Sequence, residues 1–204
     1  MRSDDTLVNC LVVFGTLSTP SIIAAFQTVD REDFVWPGIS SLAYENHPLD
    51  IGYKATISQP ATVAFMLEKL APKAGDKILD IGSGSGWTTA LLAYIVGEKG
   101  AAHGVEIVPE LVECGSNNLK KYLLSHATIA QAGKKLGLER KAPFDKILVS
   151  ASTGQLPEAV ITQLAVGGTL VIPIGEVVWQ VNKISATQHS ISKYVGFVFV
   201  TLQR

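Results

Sequence analysis

The spacing of apolar and polar positions changes character near Lys73, and the change divides the chain into two regions. In the first, residues 7–17 form an apolar run that reads as a buried helix. Thr19-Pro20 reads as a helix start, with proline at the first helical position and Ile22, Ile23 and Phe26 following at helical spacing. From Trp36 to Pro60 the periodicity is broken by Pro37, Gly38, Pro48 and Gly52. This predicts a long loop, and long loops in compact domains commonly carry function. Helical spacing returns over residues 59–70, with Val63, Met66, Leu67 and Leu70 on one face.

Beyond Lys73 short apolar runs alternate with amphipathic ones. Strands are predicted at 77–81, 102–107, 127–131, 145–150 and 168–173, and helices at 87–96, 109–125 and 157–164. This rhythm predicts an α/β fold: a Rossmann-like, mainly parallel sheet with helices on both faces and right-handed crossovers. Segments 177–186 and 195–202 have no helix between them and predict antiparallel C-terminal strands. The expected organisation is one domain over 1–204, with a helical N-terminal cap and loop (1–70) seated on an α/β core (71–204).

Composition narrows the classes of function. The net charge is −1, so no strong field draws in nucleic acid or anionic lipid, and neither is expected as a partner. Mean hydropathy is +0.28, but no run of about 20 apolar residues accounts for it as a membrane span. Asp4 and Asp5 stand where a signal peptide carries positive charge. The two cysteines, Cys10 and Cys114, lack metal-ligand spacing and read as reduced, buried thiols. Such sparse use suits a reducing cytosol, so a cytoplasmic location is expected. A monomer and no bound metal are expected as well.

The sharpest motif is Asp80-Ile81-Gly82-Ser83-Gly84-Ser85-Gly86, between a predicted strand and a predicted helix. That is where open α/β sheets bind nucleotides, and glycine lets a ligand press against the backbone. The spacing is G-x-G-x-G rather than the dinucleotide fingerprint G-x-G-x-x-G. A carboxylate at Asp80 would repel pyrophosphate, yet it can organise a cationic amino-acid moiety. S-adenosylmethionine carries an ammonium and a sulfonium and no phosphate. Glu106, near the end of the second strand, suits the two ribose hydroxyls, which are donors.

These residues, within 77–113, resemble motif I and the following acidic motif of class I methyltransferases. Upstream, Thr56-Ile57-Ser58-Gln59-Pro60 resembles the signature of protein-L-isoaspartate O-methyltransferases. Further strings match in the same order: Val29-Asp30-Arg31-Glu32-Asp33-Phe34-Val35, Leu49-Asp50-Ile51-Gly52, Ala142-Pro143-Phe144-Asp145-Lys146-Ile147, Leu156-Pro157-Glu158-Ala159, Leu170-Val171-Ile172-Pro173-Ile174-Gly175-Glu176 and Val195-Gly196-Phe197-Val198-Phe199-Val200. The resemblance covers nearly the whole chain from about residue 17.

The resemblance implies methyl transfer from S-adenosyl-L-methionine, leaving S-adenosyl-L-homocysteine, to the carboxylate of isoaspartyl residues in damaged proteins or peptides. It implies a cofactor site of Asp80, Gly82, Ser83, Gly84, Ser85, Gly86, Glu106, Ile107 and Gly133. It implies an acceptor site of Ile57, Ser58, Gln59 and Pro60, with Ser58 hydrogen-bonding the acceptor carboxylate. Ser58 also reads as a helix N-cap. Two departures stand out: Lys54-Ala55 where the family has Gly-Gln, and Ala132-Gly133-Lys134 where it has Gly-Asp-Gly. Two other functions share the same core, a methyltransferase acting on a small molecule or RNA and a non-catalytic S-adenosylmethionine-binding protein.

Overall fold

The computed structural model describes residues 3–203, with side chains from Thr6 onward. Helices α1 (Ser3–Val13) and α2 (Pro20–Thr28) precede a long segment that holds a small hairpin, β1 (Leu49–Asp50) and β2 (Thr56–Ile57). Helix α3 (Pro60–Leu70) leads into the sheet. The rest runs β3 (Lys77–Ile81), α4 (Trp87–Val96), β4 (Ala101–Glu106), α5 (Pro109–Lys120), β5 (Ala127–Gln131), β6 (Phe144–Val149), α6 (Glu158–Ile161), β7 (Leu164–Ile174), β8 (Val177–Lys183) and β9 (His189–Val195).

The seven strands of the main sheet lie in the order β5-β4-β3-β6-β7-β8-β9. The first five are mutually parallel, and β8 and β9 extend the sheet antiparallel. The predicted Rossmann-like sheet with antiparallel C-terminal strands is therefore present. Its central strands are apolar at successive positions because both faces are covered. Ile78, Leu148 and Val171 pack with the helices α1 to α4 on one side. Leu79, Ile147 and Leu170 pack with Val160 and Ile161 of α6 on the other. Between β3 and β6 the chain leaves one half of the sheet for the other, the switch point at which parallel sheets open a crevice.

Several boundaries differ from the sequence reading. Helix α1 stops at Val13, and Val13 and Phe14 are exposed, so the apolar run to Leu17 is not one buried helix. Helix α6 is a single turn, and β7 begins at Leu164, inside the segment predicted to be helical. The register of β7 against β6 shifts between Phe144 and Lys146, and Gly167 takes the left-handed φ of 84° that this irregularity requires. The last strand is β9, upstream of the predicted 195–202. Residues 196–203 instead run back toward β6, where Thr201 makes an isolated bridge to Ser152.

Candidate active site

A cavity of about 580 Å³ opens at the carboxyl ends of β3, β4, β5 and β6. Such a volume lies in the range of small-molecule sites. The glycine loop forms its floor. Gly82 and Gly84 line it directly, with φ of 82° and 52°, conformations that side chains rarely adopt. A Cβ on Gly84 would stand 3.1 Å from Ile51 Cδ1, so the loop is close-packed from behind as well. Gly86 caps α4 at φ 95°, where a Cβ would meet Ile129 at 3.0 Å.

Glu106 ends β4 and lines the same cavity, although it is only 6% exposed. Its Oε1 accepts from the Ile107 and Val108 amides at 2.7 and 3.0 Å, and its Oε2 accepts from the Gly84 amide at 2.9 Å. A carboxylate oxygen offers about two lone-pair directions. Oε1 is thus filled, while Oε2 keeps room for one hydroxyl donor. That free position, beside two glycines open to the cavity, fits a ribose-bearing ligand.

Asp80 lies beneath the loop and is fully buried. Its Oδ2 accepts from Thr89 Oγ1 at 2.7 Å, and its Oδ1 from Ser150 Oγ at 3.1 Å. Burial pushes its carboxyl up to about 6, with a smaller push from the Glu106 carboxylate, against the two hydroxyl bonds. Asp80 itself does not line the cavity, whereas Ser150 does. Ser83 and Ser85 are buried behind the loop rather than facing the cavity, and the Ser83 hydroxyl has no hydrogen-bond partner. Ile107 and Gly133 lie on the cavity wall, and a Cβ on Gly133 would meet nothing within 4 Å.

The segment 54–60 meets the cavity at one end. Lys54, Ala55 and Thr56 line it; Ile57, Ser58, Gln59 and Pro60 do not. Ile57 and Pro60 are buried, and Ser58 is half-buried. The reading of Ser58 as a helix cap is not borne out. The N-cap of α3 is Gln59, and Ser58 is engaged through its carbonyl. That carbonyl accepts from Arg31 Nη2 at 3.1 Å. Arg31 is 1% exposed and also donates to the carbonyls of Ala43 and His47 at 2.7 and 3.0 Å. Its guanidinium stacks over the Trp87 ring, 5.3 Å from the centroid, and Trp87 opens the helix that follows the glycine loop. One buried cation thus ties the 36–60 segment to the loop. Burial lowers its value to about 10.

Among the described residues no group of His, Cys, Asp and Glu could hold a metal ion, and no helix is long and apolar enough to cross a membrane. Cys10 is exposed and Cys114 only half-buried, so the expectation of two buried thiols holds for neither.

The family model for protein-L-isoaspartate(D-aspartate) O-methyltransferases matches residues 2–204. The chain belongs to that family. A protein-L-isoaspartate O-methyltransferase of Pyrobaculum islandicum is 42% identical over 201 residues, covering 94% of this chain and 96% of that protein. Its counterpart in Pyrobaculum neutrophilum is 40% identical over 182 residues, covering 87% and 88%. Among solved structures, a candidate protein-L-isoaspartate O-methyltransferase from Plasmodium falciparum, in complex with S-adenosyl-L-homocysteine, superposes with a TM-score of 0.86. It is 26% identical and covers 97% of each chain.

Several residues that shape the glycine loop and the cavity were not singled out from the sequence. Asn118 of α5 is buried and donates to the Ser85 carbonyl at 3.0 Å, holding the loop from its far side. Gly115 lies one turn earlier, and a Cβ there would stand 3.0 Å from the Gly84 carbonyl oxygen. A Cβ on Gly104 of β4 would stand 2.9 Å from Thr89 Oγ1 and 3.0 Å from Ser83 Cβ, so glycine there leaves room for the loop. Leu111, Gly115 and Asn118 share one helical face, so periodicity within α5 was the available signal. The cavity walls contributed by Ser150, Ala151 and residues 200–203 carry no local motif.

Proposed function

We propose that this chain transfers the methyl group of S-adenosylmethionine to the carboxylate of L-isoaspartyl residues in damaged proteins and peptides. The observation that carries this reading is the union of Gly84 and Glu106 at the floor of a cavity that the family's 56–60 segment meets at Thr56. The family assignment over residues 2–204 supports it independently. When bound, S-adenosylmethionine supplies an electrophilic methyl on a sulfonium.

The chain's own task is then modest. An acceptor carboxylate is ionised at neutral pH, so no general base is required. The residues need to orient and desolvate it. In our reading Gly82 to Gly86, Glu106, Ile107 and Gly133 hold the cofactor, and Oε2 of Glu106 receives a ribose hydroxyl. Asp80 acts through Ser150 rather than by contact. Ile57, Ser58, Gln59 and Pro60 hold the substrate, and the Ser58 hydroxyl donates to the acceptor carboxylate. Because Ser58 stands outside the cavity wall, this role requires the acceptor carboxylate to lie at the cavity's edge, between the sulfonium methyl and the start of α3. The absence of an acidic residue at Gly133 leaves the adenine to be held by backbone and apolar groups.

The same reading takes residues 1–204 as one domain, acting as a cytoplasmic monomer with no nucleic-acid partner. The apolar cluster that joins α1, α2 and α3 to the sheet supports the single domain. The decisive experiment compares transfer of labelled methyl to an isoaspartyl peptide and to its aspartyl twin. Transfer to the first alone is expected. Transfer to RNA or a small molecule but to neither peptide would favour another methyltransferase. Binding of S-adenosylhomocysteine without any transfer would leave a cofactor-binding protein.

A further inference from the structure

Lys54 carries a conformation its side chain does not favour. Its φ is 61°, and that of Tyr53 is 56°, both in the left-handed region. Two consecutive non-glycine residues there are uncommon, and strain of this kind concentrates at functional sites. The turn is held from three sides. The Gly52 amide donates to Asp50 Oδ1 at 2.6 Å, the Ala55 amide donates to the Gly52 carbonyl at 2.8 Å, and Gln203 Nε2 donates to the Tyr53 carbonyl at 3.2 Å. The backbone therefore fixes where residue 54 stands, and it stands exposed on the cavity wall, two positions before Thr56.

Five charged side chains line the cavity, Lys54, Glu106, Lys134, Lys135 and Glu158, and Glu158 lies beyond β6 with no cation paired to it among the described residues. Lys135 is paired with Glu139 at 3.0 Å. Among the described residues no carboxylate pairs with Lys54 or Lys134. Lys134 belongs to the wall after β5, alongside Gly133, whereas Lys54 belongs to the acceptor segment. Glu106 is engaged by three backbone amides. Lys54 is thus a free cation on the side where substrate enters.

A cation is unsuited to the reacting oxygen itself. Methyl transfer from a sulfonium to a carboxylate forms one O–C bond, breaks one S–C bond and cancels both charges. A fixed ammonium on the acceptor oxygen would hold the ionised ground state more tightly than the transition state, and so slow the step. Its useful partner is an anion elsewhere on the substrate. We propose that Lys54 determines substrate preference by pairing with an acidic side chain that flanks the isoaspartyl residue. This rests on the function proposed above.

Three isoaspartyl peptides identical but for Glu, Gln or Lys at the flanking position, made for either flank, test it through kcat/KM at low salt. For one flank the order Glu, Gln, Lys is expected, each step costing about two- to five-fold for a solvent-exposed pair. K54Q should flatten the series, K54E should invert it, and about 0.5 M salt should flatten it in the parent protein. K54Q should leave S-adenosylhomocysteine affinity unchanged, and K134Q should leave the series unchanged. A flat series in the parent protein, a preference that survives K54Q, or loss of S-adenosylhomocysteine affinity in K54Q would each overturn the assignment. Failure to methylate the Gln-flanked peptide at all would instead remove the underlying function.

Discussion

The Gly84 amide donates to Glu106 Oε2 at 2.9 Å, so the loop after β3 and the carboxylate that ends β4 form a single hydrogen-bonded unit. Parallel pairing puts the two strand ends side by side, with Ile81 opposite Val105. The carboxylate both shapes the loop and keeps one acceptor position for ligand. Glu106→Gln should therefore weaken S-adenosylhomocysteine binding about ten- to a hundred-fold, the equivalent of about 1.5–3 kcal/mol for a hydrogen bond to a charged group. Titration calorimetry checks this. Unchanged affinity would remove Glu106 from the cofactor site.

Ser58→Ala offers a clean separation of chemistry from folding. Ser58 is bonded to Arg31 through its backbone carbonyl, which the substitution keeps. Thermal stability and S-adenosylhomocysteine affinity should be unaltered. Turnover of an isoaspartyl peptide, as kcat/KM, should fall about ten- to a hundred-fold. Normal turnover would mean that the acceptor carboxylate is held by another group.

Arg31 should matter for stability first. Replacing it by Met leaves the carbonyls of Ala43, His47 and Ser58 without the guanidinium donors they now share. Loss of such a buried, charged hub is expected to cost about 3 kcal/mol or more in urea unfolding. Arg31→Lys keeps the charge but not the fork that reaches two chain segments, so it should recover only part of that loss. A change below about 1 kcal/mol would show the 36–60 segment to be held by its apolar contacts alone.

Two buried groups predict opposite contributions to the pH dependence of stability. His103 is held down to about 4 by burial and then by Lys141 and Lys77. Its folded value lies below its unfolded value near 6.5, so its stabilising neutral form is fully present above about 6.5 and is lost as pH falls toward 4. Asp80, raised to about 6, has the opposite sign: its contribution is complete below about 3.8 and is lost as pH rises through 6. Between pH 4 and 6.5 the two oppose each other. His103→Gln should therefore be more resistant to acid than the parent protein, and Asp80→Asn should lose less stability between pH 4 and 7. Melting temperatures measured across that range decide both.

The glycine loop was legible from the sequence because its geometry is local. Glycines at 82, 84 and 86 are required by the φ values the turn adopts, and Asp80 and Glu106 mark strand ends whatever the fold does beyond them. The alternation after Lys73 was legible for a similar reason, since strands buried on both faces must be apolar throughout. The family strings were legible because they are contiguous.

What tertiary structure alone decided has no such local signature. Edge strand β9 is polar and largely exposed, and only backbone pairing with β8 makes it a strand. The apolar run predicted to be that strand is used differently: Phe197 and Phe199 pack on the core, and residues 200–203 wall the cavity. Nothing in the residues beside Arg31 marks it as buried, yet folding gathers carbonyls from three loop positions around it. Asn118 and Gly115 face inward because the glycine loop lies against α5, a contact between segments about thirty residues apart. The sequence by itself determined the chemistry of the loop and the class of fold, since these depend on backbone conformation and apolar period. The positions of Lys54, Ser58 and Glu106 relative to one cavity were decided only when the sheet brought four strand ends and two loops together.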